Sequence, residues 1–144
     1  MYTLILYTHI ISAALSIGPF FVLLPMIERI RIADAQSLQT LLATFKSATR
    51  IVMHAGHVLV ATGILLIWQG PWSWNAPWIV MTLAVMFSAV FFLARAFSPV
   101  LKKFGDPAAD QTALAAKLAR SLWVYIVLLL LMLWFMVDKP MLWQ

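Results

Sequence analysis

The sequence predicts an all-α, polytopic membrane protein, a four-transmembrane-helix up-down bundle with both termini outside. Of its 144 residues, 64% are hydrophobic and 10% are charged, whereas a soluble domain is about 45–50% apolar and about 25% charged. The apolar residues form four stretches, each close to the roughly 20 residues with which a helix crosses about 30 Å of hydrocarbon. Basic residues gather in the first and third connections and are absent from the second.

The predicted spans belong to one domain and cover residues 2–27, 51–69, 77–101 and 118–137. Helix two should begin near Ser37, ahead of its span, because apolar residues recur there at helical spacing. These residues are Leu38, Leu41, Leu42 and Phe45. Helix four should start at Gly105-Asp106-Pro107, which offers a helix stop, an N-cap and a first-turn proline. Helices two and four therefore extend into the cytoplasm.

The distribution of Lys and Arg predicts the orientation. The first and third connections carry Arg29, Arg31, Lys46, Arg50, Lys102, Lys103, Lys117 and Arg120. Because Lys and Arg are retained on the cytoplasmic side, these two connections should be inside and both termini outside. The tryptophans around the second connection then form an aromatic belt at the outer interface.

Composition also excludes several classes of function. The chain has no cysteine, which rules out disulfides, thiolate catalysis, iron–sulfur clusters and thiolate zinc sites. All five acidic residues lie at span ends or in loops, which disfavours a proton-coupled carboxylate transporter and a hydrolase. The net charge of +5 is attributed to topology and lipid head-group contact, so no nucleic acid partner is expected.

All three histidines lie within predicted spans, where polar side chains are costly and usually face the bundle interior. His9 shares one stripe of helix one with Ser12 and Ser16, at i+3 and i+7. On helix two, His54 and His57 continue a stripe that begins at Arg50.

We therefore expect bound haem b, with His9 and either His57 or His54 as axial iron ligands. Small side chains on the same helices leave room for the ring, and its propionates require cations. Arg50 and Arg95 are the candidates for that role, and Tyr125 can hydrogen-bond into the site. The alternatives are a copper site, or structural histidines that hydrogen-bond across the bundle with arginines that only anchor the helix ends.

The first seventy residues resemble a group of small bacterial membrane proteins. The resemblance is carried by THIISAALSIGPFFVLLP, a basic turn and then HVLVATGILLIW. It is similar to the four-helix membrane-bound protoporphyrinogen oxidases that bind haem b, to the membrane part of the copper-resistance D family, and to uncharacterised relatives of both.

The resemblance implies that His9 is an iron ligand, that the chain lies in the bacterial inner membrane, and that it is a membrane oxidoreductase. The protoporphyrinogen oxidases are expected to carry a functional lysine in the third span, where this chain has Arg95. The rival interpretation is a non-haem membrane module that handles copper or has an assembly role. Candidate partners are the lipid bilayer, a quinone or a porphyrin. A homodimer is also expected, because the apolar residues of the helix-two extension would otherwise stay partly exposed.

Overall fold

The computed structural model describes residues 1–106 and 108–142 as an all-helical protein. Its helices are α1 (Tyr2–Ile32), α2 (Ala35–Gln69), α3 (Pro77–Lys103) and α4 (Gln111–Asp138). All four are long and apolar enough to cross a membrane, which confirms the predicted helical class and the number of candidate spans. The side of the membrane on which the termini lie stays a prediction.

α1 continues past its predicted span end at Ile27 to Ile32. The charged residues that begin at Glu28 predict a span end at Ile27. In the structure Ile27 and Ile30 are buried while Arg29 and Arg31 are exposed. This turn is therefore amphipathic, and its apolar side packs into the bundle.

α2 begins at Ala35, two residues before Ser37, and its extension into the cytoplasm stays a prediction. Leu38 and Phe45 are buried within the single chain, and Leu41 and Leu42 pack against the core. The expectation that these side chains would stay partly exposed in a monomer is wrong for Leu38 and Phe45, whereas Leu41 and Leu42 are partly exposed. The homodimer, which was inferred partly from that exposure, stays an untested prediction.

α4 begins at Gln111, later than predicted. Its N-cap is Asp110, whose Oδ1 accepts hydrogen bonds from the backbone N–H groups of Thr112 (2.9 Å) and Ala113 (3.2 Å). The predicted cap, Asp106, instead accepts a bond from the N–H of Ala108 within the preceding turn. Pro107, the predicted first-turn proline, lies outside the described residues. An Asp suits both a turn and an N-cap, so composition alone could not choose between the two.

The helices are not packed in the order of the sequence. α1 packs against both α2 and α4, and α3 packs mainly on α4. α2 and α3 follow one another in the chain. Among the described residues, however, they are not one of the main pairs of packed helices. The space between their facing sides is the origin of the cavities described below. We call the end with the α1–α2 and α3–α4 connections the basic end, and the opposite end the terminal end.

Four aromatic side chains form a buried cluster that joins all four helices. Phe20 lies 4.8 Å from Tyr125 and 6.2 Å from Phe97 between ring centroids, and Phe45 lies 6.1 Å from Phe97. Edge-to-face and tilted contacts of this kind are favourable at centroid separations of about 4.5–7 Å. The cluster fixes the helices relative to one another between the middle of the bundle and the basic end.

Candidate cofactor site

Two cavities follow the space between the helices. The first, which we call the terminal cavity, has a volume of about 460 Å³ and includes His9, Gly63, Trp78, Met136 and Lys139 in its lining. All four helices contribute to its walls. Its size falls within the range of about 300–1,000 Å³ that is usual for small-molecule sites.

The second cavity, the basic groove, has a volume of about 610 Å³ and extends toward the basic end. Lys46 and Arg50 of α2 line one wall, and Lys102 of α3 lines the other. Leu59, Val60, Met86 and Met132 line both the groove and the terminal cavity. The two spaces are therefore neighbours that meet at these apolar side chains.

His9 is held against α2 by a side-chain hydrogen bond. Its Nδ1 lies 2.9 Å from the Oγ1 of Thr62. The Thr62 hydroxyl points its hydrogen toward backbone carbonyls, at 2.7 Å from the Val58 oxygen and 3.1 Å from the Leu59 oxygen. The hydroxyl oxygen is thus the acceptor, and Nδ1–H of His9 is the donor. In a neutral imidazole this tautomer leaves the lone pair on Nε2.

Gly63 provides the space in which the His9 ring lies. A Cβ atom at Gly63 would lie 3.3 Å from Cε1 of His9 and 3.8 Å from its Nδ1. The first of these distances is shorter than ordinary van der Waals contact, so a larger side chain would have to displace the ring. Gly56, one of the other small residues of α2, has no such neighbour within 4 Å. The two glycines therefore have different roles.

A cation and an unsatisfied donor lie at the terminal end of the terminal cavity. Nζ of Lys139 is 4.6 Å from the ring centroid of Trp72 and 5.7 Å from that of Trp78. Nε1 of Trp78 is buried and makes no hydrogen bond with the described residues. Lys139 reaches this position from a left-handed backbone conformation (φ 49°, ψ 54°) that ends α4. The ammonium group of Lys139, in the lining of the cavity, is suited to an anionic oxygen of a ligand.

The structure does not bring the predicted second ligand to His9. His57 lines the basic groove, and His54 is exposed with its ring centroid 6.3 Å from that of His57. On an ideal helix His57 is about 140° and about 7.5 Å from Thr62, the residue that bonds His9. Among the described residues no three His, Asp or Glu side chains form a possible metal cluster. The predicted pairing of His9 with His57 or His54 therefore disagrees with this arrangement.

The two predicted propionate partners are also away from His9. Arg50 lines the basic groove. Arg95 is exposed, and its guanidinium carbon lies 4.5 Å from the ring centroid of Phe91, which is exposed as well. The anchoring role considered for both arginines agrees better with their positions near the basic end.

The other predicted site residues are buried around the middle of the bundle. Ser16 donates a hydrogen bond of 2.7 Å to the backbone carbonyl of Ser12, so the Ser16 hydroxyl is satisfied within α1. Ser16 and Tyr125 line the basic groove. Tyr125 also belongs to the aromatic cluster. These residues shape the space beside the terminal cavity.

Four residues with roles at this site are absent from the sequence-based prediction: Gly63, Trp78 and Lys139, which line the terminal cavity, and Thr62, which hydrogen-bonds His9. Thr62 is a polar residue within a span, and this signal was available because such residues tend to face the interior. The roles of the other three could not be inferred, since they depend on how α1, α3 and the end of α4 lie against α2.

No known protein family, curated protein or solved structure matches this chain.

Proposed function

We propose that this chain is a haem b-binding integral membrane protein in which the terminal cavity holds the porphyrin and His9 is the iron ligand. One observation carries the proposal: the hydrogen bond from His9 to Thr62 fixes the tautomer with a free Nε2 lone pair, in a ring that lines a cavity. Metal-ligating histidines typically donate their other N–H to a neighbouring acceptor in this way.

The opposite end of the cavity fits the carboxylate groups of a porphyrin. Nζ of Lys139, which lines this end of the cavity, is available to a propionate. The remaining walls are mostly apolar, and they include Met86, Met132 and Met136. A methionine thioether is a known axial iron ligand, so these residues replace His57 and His54 as candidates for the second position.

Haem bound here would supply one-electron transfer. The chain's own residues would hold the iron through His9, orient that imidazole through Thr62, and neutralise a propionate through Lys139. The buried apolar walls would exclude water from the ring. An oxidoreductase role with a quinone or porphyrin as partner follows from this proposal and shares its test.

The direct test is the absorption spectrum of the protein purified from haem-replete cells. We expect a Soret band and resolved α and β bands on reduction. His54→Ala and His57→Ala should leave the spectrum nearly unchanged, because both side chains lie away from the terminal cavity. A colourless wild-type protein that also fails to bind added haemin would overturn the proposal. Loss of the spectrum in His57→Ala would restore the bis-histidine model.

Lys139 provides a test of the propionate end. Lys139→Gln removes the charge, and we expect haem to bind about 10–150-fold more weakly, which corresponds to the roughly 1.5–3 kcal/mol of a hydrogen bond to a charged group. Titration of the apoprotein with haemin measures this change. Arg95→Gln is the matched control, because Arg95 is exposed and packs on Phe91. If Lys139→Gln and Arg95→Gln weaken haem binding equally, the affinity depends on the overall charge of the protein and not on the position of Lys139.

We further propose that the protein lies in the bacterial inner membrane with its basic end in the cytoplasm and both termini outside. The basic connections support this orientation through the retention of Lys and Arg on the inside. Reporters inserted near Asp34 and Asp110 should give cytoplasmic signals, and one fused after Gln144 an external signal. An internal signal at the C-terminus would reverse the orientation or change the number of spans.

A further inference from the structure

We propose that the basic groove is a binding site for an anionic phospholipid, with the lipid phosphate at Lys46, Arg50 and Lys102 and the acyl chains along the apolar walls. This site adjoins the proposed haem site, and the two share Leu59, Val60, Met86 and Met132 in their walls. It requires no cofactor, so the two proposals can fail independently.

The cations come from two helices and meet at one groove. Lys46 and Arg50 lie one turn apart on α2, and Lys102 lies near the end of α3. Within the described residues, the ion pair that the structure shows joins Arg31 and Glu28 of α1. The three groove cations are therefore not neutralised by a carboxylate of that part of the chain. Their convergence favours an anionic group that both helices can contact.

The groove continues from these cations into an apolar space. From Lys46 to Val60 it follows α2 for about 21 Å at the helical rise of 1.5 Å per residue. One leaflet of hydrocarbon is half of about 30 Å, so the groove spans a head-group position and the depth of one leaflet. A small soluble anion would use only the charged end. A lipid uses the entire length.

The flanks of the groove indicate that a ligand can enter from the bilayer. Met53 and Val90 line the groove on α2 and α3 and are 44% and 56% exposed. In a membrane-spanning bundle such exposed apolar side chains face lipid. At Gly56, which also lines the groove, a Cβ would meet no atom within 4 Å. An acyl chain can therefore lie against the backbone there.

Native mass spectrometry of the full-length protein, titrated with phosphatidylglycerol or phosphatidylcholine, tests the site. We expect the first phosphatidylglycerol to bind more tightly than phosphatidylcholine. Removing one cation near a membrane surface weakens attraction to anionic lipid by about fivefold, and we expect this loss in Arg50→Ala. Lys103→Ala is the control, because Lys103 is an exposed cation next to Lys102 at the end of α3 and is outside the lining of the groove. Equal losses in the two variants would show general surface attraction and overturn the proposal.

A second pair of variants tests the apolar part without changing charge. Gly56→Leu should fill the groove and strongly reduce phosphatidylglycerol binding, whereas Gly56→Ala should retain it. Unchanged binding in Gly56→Leu would overturn the proposal. Displacement of the lipid by inorganic phosphate would do so too, because the ligand would then be a soluble anion. Displacement by haemin would assign the groove to the porphyrin instead.

Discussion

His9→Ala is expected to abolish stable haem binding, leaving a protein without a Soret band after purification. The substitution removes the imidazole that the proposal assigns to the iron, and the terminal cavity has no other histidine in its lining. Absorption spectroscopy of the purified variant, with thermal unfolding in parallel, measures the outcome. A wild-type spectrum in His9→Ala would show that another residue binds the iron.

Thr62→Val separates positioning of the imidazole from loss of the imidazole. Valine is close to threonine in shape but cannot accept the hydrogen bond from Nδ1–H. Loss of such a partner typically weakens metal binding by about 10–100-fold, and the absorption maxima should shift because His9 is free to rotate. Thr44→Val is the control, since Thr44 is exposed and bonds only the carbonyl of Thr40. If the two threonine variants behave alike, Thr62 does not orient His9.

Gly63→Leu is expected to prevent haem binding almost as completely as His9→Ala. Even a Cβ at this position would lie 3.3 Å from the His9 ring, so a leucine must displace the imidazole or occupy the cavity. Gly63→Ala should have a smaller effect, because a shift of a few tenths of an ångström relieves the contact. Titration of both variants with haemin measures how far each substitution weakens haem binding.

The matched control for Gly63→Leu is Gly56→Leu, which changes the same residue type on the same helix. Its side chain enters the basic groove, so haem binding should be retained while lipid binding is lost. Equal loss of haem in the two leucine variants would place the porphyrin across both cavities. Retention of haem in Gly63→Leu would exclude the terminal cavity.

The sequence was sufficient for the helices themselves because their determinants are local. The apolar length of each span, the uncharged second connection and Pro77 at the start of α3 placed the end of α2 at Gln69 and the start of α3 at Pro77. Errors arose at the basic end. There, charged residues share helical turns with buried apolar ones, as at Ile30, so the charge pattern placed the end of α1 too early. Asp106 and Asp110 are both suitable N-caps for α4, and the sequence did not distinguish them.

The sequence by itself determined that the chain is helical, that it has four segments able to cross a membrane, and that His9 is a polar residue needing a partner within a span. Only the tertiary structure decided which partner that is. Helical periodicity fixes the angles between residues on one helix, but not the rotation of that helix about its own axis relative to its neighbours. In the structure α2 turns Thr62 and Gly63 toward His9, and His57 toward the gap beside α3. The same packing, with α1 between α2 and α4, creates two adjoining cavities where the sequence suggested one site. His9 and His57 line different cavities because each side chain reaches only the space that its own helix face borders.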